Sequence, residues 1–169
     1  LGRIGRSLAV RGRGMAMPVI ATEKYPNQEF VRQHGIEHVD FDTLLARSDV
    51  LSIQCPLNDE TRGLFNRDVL GRMKRGSCLI NTARGPVVDE AALASALGER
   101  RIAGAGLDVY EREPEIHPAL ARCRNVVMTP HLGSAVWEVR DAMANTTVDN
   151  ILAHLEGRDL PNRVNRSAR

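Results

Sequence analysis

The chain has 169 residues, 43% of them hydrophobic and 26% charged, a balance that suits one ordinary soluble domain with a real core. Its formal net charge of +2, with basic residues dispersed among acidic ones, gives no reason to expect a nucleic acid or a membrane surface as partner. No apolar stretch approaches the roughly 20 residues of a membrane span. The three cysteines, Cys55, Cys78 and Cys123, lie far apart with no CxxC pair, which fits buried thiols in a reducing, cytoplasmic compartment better than a disulfide framework.

Arg3 to Arg13 has a helical composition, with Ile4, Leu8 and Ala9 on one side. Pro18 opens a strand, Val19-Ile20-Ala21, at a position where no ladder bond need be donated. Gln28 to His34 reads as a helix stopped by Gly35, and Asp42 as the cap of a short helix through Arg47. Asp49 leads into the strand Val50-Leu51-Ser52-Ile53. Three further apolar runs follow: Ser77 to Ile80, Ala103 to Leu107 and Val126 to Met128. Between the first two, Asp89 predicts the N-cap of a helix from Glu90 to Leu97, with Gly98 as its stop. Val136, Val139, Met143, Thr147, Ile151 and Leu155 recur at spacings of three and four, predicting a long amphipathic helix ending near Gly157. The expected organisation is one domain over 1–157 and a polar tail or connection over 158–169.

Strands alternating with helices predict an α/β fold with a doubly wound parallel sheet. Strands that are almost wholly apolar suit a sheet covered on both faces. In such sheets ligands bind outside the carboxyl ends of the strands. Arg84, Glu113 and His131 each stand just past the end of one apolar run. Singly, each is more commonly a surface ion-pair member, a loop residue or a packing histidine. Together and in order they predict a guanidinium, a carboxylate and an imidazole on one crevice, as in a dehydrogenase. His34, His38, His117 and His154 lack such context, and no metal-ligand spacing is present, so no metal is expected.

Leu1-Gly2-Arg3-Ile4-Gly5 runs straight into the first helix, and Glu23 follows the next strand. A glycine turn before a helix, with an acidic residue about 20 positions on, is the layout of a dinucleotide site. There the helix amino end offers free N–H groups to a pyrophosphate. On the pattern alone this reading and a plain turn with a solvated glutamate weigh about equally. Glu23 can accept from both ribose hydroxyls and repel a 2′-phosphate, favouring NAD over NADP, although Lys24 beside it softens that preference. A full G-x-G-x-x-G needs another glycine and a strand ahead of Leu1, so the expectation is a sheet truncated at its first, central strand.

Taken together these segments resemble the NAD-binding domain of the D-isomer-specific 2-hydroxyacid dehydrogenases. The resemblance rests on Leu1 to Gly5, Cys55-Pro56-Leu57 with Glu60 to Leu64, Asn81 to Gly85, Asp89 to Leu93, Gly106 to Tyr110 with Glu113-Pro114, and Asn125 to Val127 with Thr129 to Gly133. It extends from Leu1 to about Asn165. Gly133-Ser134-Ala135, Arg140, Ala142-Met143-Ala144, Asp149-Asn150-Ile151 and Pro161 to Asn165 lean toward the glyoxylate/hydroxypyruvate reductase branch rather than the phosphoglycerate dehydrogenase branch.

The resemblance implies a Rossmann-like fold without its substrate domain, a homodimeric parent, and hydride transfer between NAD(P) and a 2-oxo acid or its D-2-hydroxy acid. It implies that His131, paired with Glu113, is the acid–base residue and that Arg84 holds the substrate carboxylate. For the cofactor it implies Gly2, Arg3, Ile4 and Gly5 at the pyrophosphate and Glu23 at the adenosine ribose. Cys55 and Pro56, with Thr61 nearby, fall at the adenosine end, and Thr82, Ala83 and Arg84 under the nicotinamide ribose. Asp108, Gly133 and His131 fall around the nicotinamide. Two other readings remain: an NAD-sensing scaffold without catalysis, and another hydride-transfer enzyme of this fold such as a formate dehydrogenase.

Overall fold

The computed structural model describes residues 1–164. Residues 165–169, including Asn165 and the end of the basic tail, lie outside the described residues. The chain divides into two compact units, one over Leu1–Pro130 and a second that begins at His131.

In the first unit the elements follow as α1 (Arg3–Gly14), β1 (Ile20–Ala21), α2 (Gln28–Gln33), β2 (Glu37–His38), α3 (Phe41–Arg47), β3 (Val50–Ile53), α4 (Arg67–Arg72), β4 (Cys78–Asn81), α5 (Glu90–Gly98), β5 (Gly104–Leu107), α6 (Pro118–Ala121) and β6 (Val126–Met128). All strand pairs are parallel, in two sheets: β1-β2, and β3-β4-β5-β6. Helices between successive parallel strands make this the expected α/β arrangement.

Local chemistry sets the boundaries. Asn27, Asp40, Asn66 and Asp89 each accept a hydrogen bond from the N–H three residues on, capping α2, α3, α4 and α5. The cap of α3 is therefore Asp40 and not Asp42, because only the residue ahead of the first helical turn can turn its carboxylate back to the Thr43 N–H. Asp42 lies inside the helix and pairs with Arg72. Gly35, in the left-handed region at φ 58°, lets the chain leave α2.

The larger core lies on the four-stranded sheet, where Leu45, Leu79, Leu93, Leu97, Ile102 and Leu120 are fully or almost fully buried. A smaller cluster of Ala9, Ala21, Val31 and Ile36 serves β1 and β2. The three cysteines are free thiols, half-buried rather than buried as expected, because strand ends and short helices leave them near the surface.

The second unit is built on α7 (Trp137–Leu155), which ends where Gly157 takes φ 68°. The predicted stripe does not face a core: Val136, Val139, Met143, Thr147, Ile151 and Leu155 are all exposed, and Ala153 is the buried residue of the helix. Spacing marks a stripe but not what covers it. Asn162 folds back on α7 through two hydrogen bonds with Asn150. Among the described residues, no helix is long and apolar enough to cross a membrane.

Candidate functional site

Parallel register puts Ile53, Asn81, Leu107 and Met128 in one row at the carboxyl ends of β3 to β6. Two further bonds extend the row: the Asp108 N–H donates to the Asn81 carbonyl at 3.0 Å, and the Thr129 N–H to the Leu107 carbonyl at 2.9 Å. Cys55, Arg84, Asp108 and Glu113 all follow from this one edge.

The turn that carries Arg84 is shaped by Asn81, whose side chain is 1% exposed. Its Nδ2 donates to the Arg84 carbonyl at 3.0 Å and its Oδ1 accepts from the Ala83 N–H at 3.1 Å. Both halves of a buried amide are thereby satisfied, and the loop is held in one shape. Thr82 and Arg84 point outward, and Arg84 Nη1 donates to the Ala83 carbonyl at 2.6 Å. At Gly85 a Cβ would come within 1.8 Å of the Tyr110 carbonyl oxygen. Glycine is the residue that lets the loops after β4 and β5 touch here.

Glu113 is exposed, and its Oε1 accepts from the Tyr110 N–H at 3.0 Å. Tyr110 is buried and donates its hydroxyl to the Thr129 carbonyl at 2.8 Å. Burial, then the nearby charges of Asp108, Glu90 and Glu113, push that hydroxyl above its ordinary pKa and keep it a donor. Asp108, also buried, accepts from the Thr129 hydroxyl at 2.5 Å. The loops after β5 and β6 are thus tied together by side chains of both.

His131 and Gly133 belong to the second unit. His131 is exposed and sits at φ 55°, left-handed backbone that a residue with a Cβ adopts at a cost. Such outliers cluster at functional sites.

At the other end of the sequence, Gly2 is the N-cap of α1, and no side chain caps that helix. Its first turn holds Arg3 and Ile4 and no acidic residue, and a Cβ on Gly2 would meet open space. Gly5 is buried against Leu1 and Gln54. Glu23, past β1, lies beside Leu1, and its carbonyl contacts His38 Nε2 at 3.0 Å. An uncapped helix end with a free approach, beside a carboxylate, fits a pyrophosphate and an adjoining ribose diol.

Past β3, the Thr61 hydroxyl donates to the Pro56 carbonyl at 2.6 Å and accepts from the Asn58 N–H at 2.9 Å, closing a tight turn. Burial pushes the Cys55 thiol above its ordinary pKa. Of the remaining histidines, His117 caps α6 through Nδ1 and His34 packs on the Phe30 ring. Among the described residues, no group of His, Cys, Asp and Glu is arranged to hold a metal ion.

The model of the D-isomer specific 2-hydroxyacid dehydrogenase NAD binding domain matches residues 1–133. The chain is 45% identical over 165 residues to a glyoxylate reductase of Thermococcus litoralis, covering 98% of this chain and 50% of the relative. It is 46% identical over 167 residues to a glyoxylate/hydroxypyruvate reductase B of Erwinia tasmaniensis, covering 98% and 52%. The crystal structure of a Thermus thermophilus protein, TT0316, superposes with a TM-score of 0.90 at 42% identity, covering 97% of this chain and 51% of that one.

The fold is therefore a Rossmann-like NAD-binding α/β domain. The chain belongs to the D-isomer-specific 2-hydroxyacid dehydrogenase family, and NAD is the cofactor its domain takes. It spans about half the length of the curated relatives it matches.

Sequence reasoning left three contributors without a role: Asn81, Glu90 and Thr129. A polar residue closing an apolar run was the available signal for Asn81. For Glu90 and Thr129 no local signal exists, since their partners lie 21 or more positions away.

Proposed function

We propose that this chain is the NAD-binding part of an enzyme that reduces a 2-oxo acid to its D-2-hydroxy acid, with glyoxylate and hydroxypyruvate as the favoured substrates. The observation that carries the reading is the row of strand ends, from which Arg84, Asp108 and Glu113 follow on tied loops. The names of the two curated relatives favour those substrates over 3-phosphohydroxypyruvate.

When bound, the reduced nicotinamide supplies a hydride to the carbonyl carbon. Arg84 forks onto the substrate carboxylate and orients it. His131 donates the proton to the carbonyl oxygen, with Glu113 as the carboxylate paired with it in the family's pattern. The left-handed backbone at His131 supports a functional role there. At the cofactor's far end, main-chain N–H groups of Gly2 to Gly5 take the pyrophosphate and Glu23 the adenosine ribose. Cys55, Pro56 and Thr61 border the adenosine, the segment Thr82-Ala83-Arg84 the nicotinamide ribose, and Asp108 with Gly133 the carboxamide. Glu23 favours NAD over NADP.

We assign 1–157 to the dinucleotide-binding domain and 158–169 to a tail or connection. We place the parent protein in the cytoplasm as a homodimer. The free thiols support the first placement and the exposed apolar residues of α7 the second.

The test is NADH oxidation by the full-length protein with glyoxylate, hydroxypyruvate, pyruvate and 3-phosphohydroxypyruvate, wild type beside His131→Ala. Glyoxylate or hydroxypyruvate should be reduced fastest, with the variant slower by roughly 10²–10⁴-fold. NADH binding without reduction of any 2-oxo acid would favour a scaffold. Formate oxidation unaffected by His131→Ala would favour a formate dehydrogenase.

A further inference from the structure

The loop between β5 and α6 carries Glu113, and it is anchored to α5 by a group outside the roles described above. Glu90, the first residue of α5, is 5% exposed, rare burial for a carboxylate. Its Oε1 accepts from the Glu111 N–H at 2.7 Å and its Oε2 from the His117 N–H at 3.0 Å. The two donors bracket Glu113. In return Glu111 Oε1 accepts from the Glu90 N–H at 2.7 Å, satisfying one of the helix's unpaired amino-terminal donors.

Two main-chain donors facing two carboxylate oxygens call for a group that accepts at both oxygens and donates at neither. The positive end of the helix offsets part of the cost of burying the charge. A second contact lies earlier in the chain, where Gly85 meets the Tyr110–Glu111 peptide too closely for any Cβ. Gly85 directly follows Arg84. The segment bearing Glu113 is thus attached at both ends to the segment running from Arg84 to Glu90.

We propose that Glu90 is a positioning residue, whose buried carboxylate pins the 111–117 loop to the amino end of α5 and so fixes Glu113 relative to Arg84. Glu113 registers the clamp through its own bond to the Tyr110 N–H. The functional part rests on the reading under Proposed function. The structural part does not.

The experiment compares wild-type full-length protein with Glu90→Gln, which sets an NH₂ against one of the two N–H donors. Glu90→Asp, too short to reach both donors, takes its place if that chain does not fold. Glu111→Ala is the control: it removes the cap on the Glu90 N–H but leaves the Glu90 carboxylate holding both of its donors.

Amide exchange at Tyr110 is read first, since it needs no turnover. It should quicken at least tenfold in the Glu90 variant and stay near wild type in Glu111→Ala. With the best 2-oxo acid, kcat of the Glu90 variant should fall roughly tenfold or more, because a displacement of about 1 Å costs that much or more. KM and the NADH Kd should stay within about twofold, with kcat referred to the concentration of folded protein so that an unfolded fraction does not mimic the loss.

Unchanged exchange at Tyr110 overturns the proposal whatever the turnover. So does an unchanged kcat in an active enzyme, or an equal loss in Glu111→Ala. A wild-type protein that reduces no 2-oxo acid sinks the reading of function instead, and the exchange data then decide the clamp alone.

Discussion

The two sheets of the first unit differ in how firmly they hold what they carry. In the four-stranded sheet, strands of three or four residues end in one row over a core of fully buried leucines. The loops beyond them are tied by Asn81, Glu90, Tyr110 and Thr129. The β1-β2 sheet has strands of two residues, four buried apolar side chains beneath it and α1 without a side-chain cap. The first arrangement suits groups that must meet a reacting carbon within a fraction of an ångström. The second suits a diphosphate and a ribose, which main-chain N–H groups and one carboxylate can hold with more tolerance. Precision is concentrated where the proposed chemistry is.

Core truncation should break the comparison most visibly. Leu79→Ala empties a site with no exposure at all and should cost near the top of roughly 2–5 kcal/mol. Ile36→Ala, in the smaller cluster, should fall near the bottom of that range. Urea unfolding of both variants measures this, and equal losses would remove the distinction.

A loop substitution sharpens it. Asn81→Ala strands the Arg84 carbonyl and the Ala83 N–H, at a cost of about 1–3 kcal/mol. Because the same bonds shape the turn of Arg84, KM for the 2-oxo acid should rise, and the NADH Kd, to which Thr82 and Ala83 of that turn contribute, should rise less, as steady-state kinetics beside fluorescence titration would show.

The smallest expected effect is one of pH. Hydrogen bonds from the Thr43 N–H and hydroxyl hold the Asp40 carboxyl below the ordinary aspartate range. A depressed folded-state pKa contributes stability that is present above the unfolded value near 3.9 and lost as pH falls through the folded one. Asp40→Ala should therefore lose stability at neutral pH and show a flatter decline below about pH 4. An acid limb identical to wild type would mean the cap contributes nothing through its charge.

The same contrast explains what could be read from sequence. β3 to β6 were legible as short apolar runs, although they are not covered on both faces as expected: Val50 and Val127 are exposed and only alternate residues of β3 to β5 are buried. Asp89 was legible because a cap acts within three residues. β2 was not, since Glu37 and His38 are both exposed and their pairing with β1 leaves no apolar mark. α4, capped by Asn66, carries only two buried residues and no stripe long enough to count. The cap of α3 was misplaced at Asp42, because a carboxylate two positions into the helix resembles a cap until the helix start is known. Arg84 and Glu113 could be placed at strand ends from the runs before them, while the bonds fixing them come from partners that only the fold brings near.

The most direct test of the central claim, that the strand-end row holds the substrate, is the KM for glyoxylate of full-length Arg84→Lys beside its NADH Kd. Loss of a forked, charge-assisted contact should raise KM roughly tenfold or more and leave NADH binding within about twofold. An unchanged KM would place the substrate carboxylate elsewhere and contradict the account.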